Sequence, residues 1–324
     1  MKKKCCILLA IVLLLSTMAM PIAAVQPDNG INENCSSSED LIVFNPKTRI
    51  EERITMYNDL SCSSRSSTPL ISEPYTPSEK ISKESDSYTR SIIGSDDRLR
   101  VDDPSVSPFC KIVFIRSYYA NNVVVRSTGV ILGPDLVLTC AHAIYRSEFG
   151  GWPSEVRVYT EVDGVRPLDD DYAGKTTTQM VIPAAWADPS LSNQGKDWAY
   201  MYVDSPIGYQ QGWMGFGTVP TTYNDFNVTG YPDCAPGEET YNNFYMYTDS
   251  GVIDGLDDSG TMFYYSMDTS TGQSGAPLYT DSQIVYGIHV LGGSNNQATK
   301  ISNSLYNYLV AARQEGLERW NSQE

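Results

Sequence analysis

Histidine is the scarcest chemically versatile residue in this chain: 324 residues carry only two, His142 and His289. Two imidazoles so far apart in sequence, with no close pair of cysteines beside either, do not make a zinc ligand set, so no metal is expected. Basic residues are few as well. The 23 Lys and Arg stand against 39 Asp and Glu, a formal net charge of −16, which argues against nucleic-acid binding by phosphate neutralisation. Beyond the N-terminus no apolar run is long enough to span a bilayer, so no membrane-spanning helix is expected. No repeat of fixed period is present either, which excludes a solenoid or propeller.

What is present begins with a three-part leader. Lys2, Lys3 and Lys4 precede the apolar run Ile7 to Leu15, and small residues follow up to Ala23-Ala24. That is the pattern of a secretory signal occupying 1–24. The expected product is exported, extracellular, monomeric and without stable membrane association once the signal is cut. From Val25 to Arg90 the chain is rich in Ser, Glu, Asn and Pro, as in Cys62-Ser63-Ser64-Arg65-Ser66-Ser67-Thr68-Pro69. Such a composition buries little and reads as a largely disordered pro-peptide.

After Arg90 come short β-branched and aromatic runs bounded by Gly, Asn, Asp and Pro: Lys111 to Arg116, Val123 to Leu132, Leu136 to Cys140, Val156 to Thr160 and Ala199 to Val203. Many short strands predict an all-β barrel or sandwich. One helix is predicted at the C-terminus, capped by Ser302 or Asn303, with Leu305, Leu309, Ala312, Gly316 and Trp320 on one face.

Of the seven cysteines, Cys5 and Cys6 leave with the signal, and Cys35 and Cys62 with the pro-segment. Cys110, Cys140 and Cys234 remain, enough in an oxidising compartment for one disulfide and one thiol. Cys110 with Cys140 is favoured because both flank the first strands; the other pairings stay open. From Ser91 onward 13 Lys and Arg face 28 Asp and Glu. The acidic clusters Asp169-Asp170-Asp171 and Asp254 to Asp258 could hold calcium but lack EF-hand spacing, so a solvated loop is the favoured reading and a bound ion the alternative.

Three segments carry chemistry. A serine hydroxyl becomes a nucleophile only beside a base, and that base needs a carboxylate to fix its tautomer and stabilise its cation. Ser274 in Thr271-Gly272-Gln273-Ser274-Gly275-Ala276-Pro277 is the candidate nucleophile. His142, after the strand-like run Leu136 to Ala141, is the candidate base, and Asp197, before Trp198 to Val203, the candidate orienting acid. The glycines allow a sharp turn in which the amides of Gly272 and Ser274 converge on a developing oxyanion. Each element alone is common in ordinary turns and strand ends; the three together point to acyl transfer.

Thr139-Cys140-Ala141-His142, Asp197-Trp198-Ala199 and Gly272-Gln273-Ser274-Gly275-Ala276-Pro277, in His, Asp, Ser order, resemble the catalytic segments of chymotrypsin-like serine proteases. Within these the chain resembles the bacterial glutamyl endopeptidases. The narrower match rests on Ser91-Ile92-Ile93-Gly94-Ser95-Asp96-Asp97-Arg98, Gly212-Trp213-Met214-Gly215-Phe216-Gly217 and Gly287-Ile288-His289-Val290-Leu291-Gly292-Gly293, and extends from Ser91 to the C-terminal helix.

The resemblance implies two six-stranded antiparallel β-barrels with a C-terminal α-helix, the site lying between the barrels. It implies a zymogen activated by another protease cutting after Arg90, and protein or peptide substrates with glutamate, less so aspartate, before the scissile bond. The substrate carboxylate would be held by His289 and Thr269, and by the new α-amino group of Ser91. No cofactor is implied. The chain departs from the family at Ser127 and Ala143, where a disulfide usually braces the catalytic histidine. Composition agrees with glutamate cleavage: from Ser91 there are 20 Asp and 8 Glu, against 4 Asp and 7 Glu in 25–90. Turns favour Asp in any case.

Other readings fit less well. An α/β-hydrolase elbow needs Gly-x-Ser-x-Gly, but Ala276 and Pro277 follow Gly275. A subtilisin-like order would need Asp135, which lies in a Gly-Pro-Asp turn. A protease of the same fold with another specificity, and a catalytically inactive secreted binding module, both remain as alternatives.

Overall fold

The β-branched and aromatic runs form strands wherever turn residues bound them. The computed structural model describes residues 38–57, 69–77, 96–164, 174–188, 190, 194–236, 243–293 and 295–322. The expected signal segment, Arg90, Ser91, Cys35, Cys62 and the cluster Asp169-Asp170-Asp171 lie outside the described residues.

The first strands are β1 (Ser38–Asn45), β2 (Ile50–Tyr57), β3 (Ile71–Ser72), β4 (Leu99–Arg100), β5 (Ile112–Tyr118) and β6 (Val124–Ile131). They are followed by β7 (Leu136–Thr139), β8 (Glu155–Tyr159), β9 (Lys175–Pro183), β10 (Ala199–Val203), β11 (Gly215–Gly217) and β12 (Phe226–Gly230). The last are β13 (Tyr247–Gly251), β14 (Ile253–Leu256), β15 (Met262–Tyr265), β16 (Pro277–Thr280), β17 (Ile284–Leu291) and β18 (Asn296–Lys300).

In the first sheet β10, β7, β6, β5, β8 and β9 follow one another, and β10 also pairs with β9, closing a six-stranded barrel. Ile112 to Ile115, Leu136 to Leu138 and Ala199 to Val203 on its strands are all buried, alternate side chains facing the barrel interior and the layers packed outside it. The second sheet runs β14-β15-β18-β17-β16-β12-β13-β4, with β11 on β17 and β3 on β11. The expected two-barrel architecture is present, the first sheet forming a closed six-stranded barrel. The second is a half-barrel, because no pairing among the described residues joins its two end strands. Its own core of Phe226, Val228, Phe263, Tyr265, Leu278 and Tyr286 fills the concave side.

The expectation that 25–90 is largely disordered does not hold for its described residues. β1 and β2 pair over eight residues, and β1 also pairs with β9 from Leu41 opposite Pro183 to Phe44 opposite Met180. Leu41, Ile42 and Phe44 are buried, and Phe44 stacks on Trp152 with ring centroids 4.7 Å apart. The Asn45 side chain accepts from the amides of Lys47 and Thr48 and shapes the turn. Farther along, β3 pairs with β11, and Tyr75 and Trp213 exchange backbone hydrogen bonds of 2.9 Å. A short apolar run in a polar segment thus finds the open edge of β9, where its backbone groups are satisfied.

The C-terminal helix spans Asn303–Asn321, and Ser302 caps it, its side chain accepting from the Leu305 amide at 3.1 Å. Leu305, Leu309, Ala312 and Gly316 are buried as the spacing predicts. Gly316 is required by close approach, since a Cβ there would lie 2.5 Å from Asp135 Oδ1. Asp135 in turn receives the Trp320 indole N–H at 2.8 Å and pairs with Arg319, fastening the helix to the start of β7. Buried Arg313 donates to the Met214 carbonyl at 2.9 Å, the Ser72 hydroxyl at 2.6 Å and the Leu132 carbonyl. That one side chain ties the helix to both sheets and to the segment before Arg90.

No disulfide joins Cys110 and Cys140; both are buried thiols. They flank the first strands, as expected, but turn to different partners. Cys110 Sγ lies 3.1 Å from the Gln211 carbonyl, and Cys140 Sγ 3.6 Å from His142 Nε2. The Asp257 carboxylate is satisfied within its own loop by the amides of Thr261 and Met262 at 2.7 and 2.8 Å.

Candidate active site

His142 sits in the one-turn helix Ala141–Ile144 that follows β7, and Asp197 immediately precedes the β10 region. Because β7 and β10 are antiparallel neighbours, Thr139 lies opposite Ala199 and the two residues meet at one end of the barrel. Asp197 is buried. Its Oδ1 accepts from the His142 amide at 2.9 Å, and its Oδ2 lies 2.6 Å from His142 Nδ1. The first contact anchors the His142 backbone and the second orients the ring and places a proton on Nδ1, which leaves Nε2 as the basic nitrogen.

Burial disfavours a charged His142, yet the Asp197 carboxylate and Cys140 beside it outweigh burial and hold its pKa well above the ordinary 6.5. Nε2 contacts Cys140 Sγ, and no hydrogen bond joins it to Ser274 Oγ among the described residues. Such contacts commonly tighten only when substrate binds.

Ser274 belongs to the turn between β15 and β16, and both sheets hold that turn. From the first, the Thr128 amide donates to the Ser274 carbonyl at 2.8 Å and the Thr128 hydroxyl to the Gly272 carbonyl at 3.0 Å. From the second, the Gly275 amide donates to the His289 carbonyl at 2.7 Å. Gly275 has φ +85°, and a Cβ there would stand 2.2 Å from Thr139 Oγ1 and 3.1 Å from the Cys140 nitrogen. The serine turn therefore abuts the strand end that carries His142. The Gln273 amide bonds the Ser270 carbonyl and the Gly275 amide that of His289. The amides of Gly272 and Ser274 have no such acceptor among the described residues and suit an oxyanion.

Gln273, which carries no signal in the sequence, is fully buried. Its Oε1 accepts from the Ser270 amide at 2.8 Å and from Arg98 Nη1 at 3.1 Å. Arg98 is clasped by Asp96 at 2.6 Å, and the Asp97 amide bonds Asp268 at 2.8 Å. The stretch that follows Ser91 is thus fastened to the serine turn.

His289 lies on β17, buried, with its Nδ1 2.6 Å from the Tyr265 hydroxyl. Burial, reinforced by nearby His142, pushes its pKa down to about 3. It is therefore a neutral imidazole, and nothing in the sequence marks Tyr265 as its partner. Thr269 Oγ1 is buried without a hydrogen-bond partner among the described residues, an arrangement that costs about 1–3 kcal/mol unless a ligand completes it. Ser127 and Ala143, which replace the usual bridge, are both buried, so packing occupies the place of the disulfide.

The trypsin-like peptidase domain family matches residues 127–288, half of the chain, taking in His142, Asp197 and Ser274. This chain belongs to the trypsin-like peptidases. It is similar to the glutamyl endopeptidase of Bacillus licheniformis, 26% identical over 89% of each chain. It is also similar to a Bacillus subtilis protein named extracellular metalloprotease, 27% identical over 67% of this chain and 68% of that one. A solved Glu endopeptidase superposes with TM-score 0.58 and 21% identity, covering 69% of this chain and all of the other; this supports the chymotrypsin-like fold.

As a trypsin-like peptidase the chain is a serine endopeptidase acting on peptide substrates. Among the described residues the one group with metal-ligand spacing is Cys140, His142 and Asp197. An ion held there would occupy the peptidase's own base, so the group does not fit a catalytic metal. No helix among the described residues is long and apolar enough to cross a membrane.

Proposed function

We propose that this trypsin-like peptidase is a secreted endopeptidase that cleaves on the carboxyl side of glutamate, and of aspartate less readily. It is made with a signal at 1–24 and a pro-segment at 25–90 and matured, as a monomer, by a protease cutting after Arg90. The observation that carries the chemistry is the buried Asp197 holding His142 through two contacts, with the serine turn against the same strand end.

His142 takes the Ser274 proton as Oγ attacks the carbonyl. Asp197 stabilises the imidazolium, and the amides of Gly272 and Ser274 receive the oxyanion. His142 then protonates the leaving amine, and water releases the acyl group by the same steps in reverse. Glutamate specificity is supported by the similarity to glutamyl endopeptidases and by His289 and Thr269. With Nδ1 engaged by Tyr265, His289 keeps Nε2 for the substrate carboxylate, while Thr269 Oγ1 offers an unused hydroxyl. A neutral His289 brings one N–H donor and no charge, so the α-amino group of Ser91 supplies the cation that a buried carboxylate favours.

Digestion of a denatured protein mixture by the processed form, with the new carboxyl termini read by mass spectrometry, tests the reading. Glutamate termini are expected. Cuts after other residues would leave a peptidase of different specificity, and none from folded, processed protein would leave a binding module.

Two further results are expected. Replacement of His289 by Ala should lower kcat/KM for a glutamyl substrate about 10- to 100-fold, the loss of one hydrogen bond to a charged group, with a smaller change for an uncharged residue at that place. Equal losses on both substrates would assign His289 to structure alone. The second concerns pH. A base works only when unprotonated, so the raised His142 pKa puts the acid limb of kcat/KM above pH 6.5, with activity rising as pH increases through it. Asp197→Asn removes the negative charge that does most to raise this pKa. The limb should then move to lower pH while kcat falls about 10⁴-fold; a limb that stays in place would contradict the assignment.

A further inference from the structure

Cys140 brings a thiol against the ring nitrogen that the proposed mechanism uses. Cys140 Sγ lies 3.6 Å from His142 Nε2. The other ring nitrogen, Nδ1, is 2.6 Å from Asp197 Oδ2. Donor atoms of the three residues all fall within 4.8 Å of one another.

These distances carry a specific chemistry. A tetrahedral Zn²⁺ holds a cysteine sulfur at about 2.3 Å and a histidine nitrogen at about 2.0–2.1 Å, which sets the two ligand atoms about 3.6 Å apart. The separation of Cys140 Sγ and His142 Nε2 equals that edge. A zinc-bound histidine also typically gives its second N–H to a carboxylate, which fixes the tautomer and raises the basicity of the ligating nitrogen. Asp197 already occupies that place. Two distant histidines with no close cysteine pair do not make a structural zinc site. A thiol two residues before a histidine is a different arrangement, because the end of β7 and the following helical turn bring both side chains to one point.

We propose that Cys140 Sγ and His142 Nε2 form a binding site for a soft divalent cation, Zn²⁺ or Cd²⁺, whose occupation switches the peptidase off. On binding, the Cys140 S–H bond breaks and a metal–sulfur bond forms, the proton leaving to solvent. His142 binds through its Nε2 lone pair and keeps the Nδ1 proton shared with Asp197. No electron transfer is involved. The lone pair that would accept the Ser274 proton is then held by the metal, so acylation stops. The remaining coordination positions take water. Hard cations such as Mg²⁺ and Ca²⁺ prefer oxygen ligands and do not compete. The inhibitory effect rests on His142 as the base; the binding site does not.

The test uses the processed, chelator-treated protein, with hydrolysis of a glutamyl peptide followed against free Zn²⁺ and, separately, Mg²⁺. Zn²⁺ should inhibit, EDTA should restore activity, and Mg²⁺ should have no effect. Cys140→Ala, with inhibition expressed relative to its own metal-free activity, should require on the order of 10- to 100-fold more Zn²⁺ for the same fractional inhibition. Co²⁺ gives a readout independent of activity: the wild type should show a thiolate-to-cobalt charge-transfer band that Cys140→Ala lacks. Unchanged Zn²⁺ sensitivity in Cys140→Ala, or no such band in the wild type, overturns the site. A wild type with the band but no peptidase activity would keep the site and discard the functional reading instead.

Discussion

Ser274→Ala should reduce kcat by about 10⁶-fold, the loss expected when the nucleophile of an acyl-transfer triad is removed. The protein should fold as before. Ser274 is held by its backbone, through the carbonyl that accepts from Thr128 and through neighbours that accept from Thr128 and donate to His289. Alanine keeps all of these, and Oγ supports no hydrogen bond that the turn depends on. Stability should therefore change by no more than about 0.5 kcal/mol. Turnover of a glutamyl peptide, a thermal melt and labelling by a serine-directed fluorophosphonate together check this. Full activity in the variant would remove Ser274 from the mechanism, and a label persisting in it would point to another serine.

The second large effect is expected from the hairpin Ser38–Tyr57. Its strand β1 covers the edge of β9, the same strand that closes the barrel against β10, and so supports the wall from which Asp197 emerges. Leu41, Ile42 and Phe44 are buried, and full burial of such side chains stabilises by about 1.5–3 kcal/mol each. Lys196, next to Asp197, pairs with Glu39 at 2.6 Å, and the Trp152 indole donates to Glu51 at 2.7 Å. Together these are comparable with the net stability of a whole domain, about 5–15 kcal/mol.

A chain lacking residues 1–57 should consequently fail to yield active enzyme. After cleavage following Arg90, the hairpin should remain bound and co-elute with the mature chain on size exclusion under native conditions. Phe44→Ala should destabilise the precursor by about 3–5 kcal/mol, read from denaturant unfolding. A chain beginning at Ser91 that reaches the same melting temperature and activity without the hairpin would show that β1 is dispensable.

The hairpin was hidden because composition was averaged over 25–90. Within that polar stretch Leu41-Ile42-Val43-Phe44 is a buried-strand run, and Asn45-Pro46 after it is a turn signal. Both were legible locally. What they could not show was a partner strand more than a hundred residues away. The missing disulfide has a similar cause. Cys110 and Cys140 both flank the first strands, but whether two thiols meet depends on which way each side chain turns. One faces the Gln211 carbonyl and the other His142.

The C-terminal helix was read nearly to the residue, since its cap and its 3.6-residue spacing are local properties. Even so, the buried Arg313, which joins that helix to Ser72, Leu132 and Met214, gave no sign in the helical pattern. Tyr265 and Gln273 were likewise invisible. A tyrosine in a strand and a glutamine in a turn are ordinary until a distant residue, His289 or Arg98, arrives beside them.

The sequence by itself determined the fold class, the C-terminal helix and the family, because these rest on periodicity, on turn and cap chemistry, and on short motifs kept in order. It also named His142, Asp197 and Ser274, since acyl transfer requires those residue types. Only the tertiary structure decided that His289 is neutral, that the second sheet stays open, that β1 belongs to the barrel wall, and that Cys140 faces the ring of His142. Each of these depends on burial or on contact between side chains, and neither is a property of neighbouring positions along a chain.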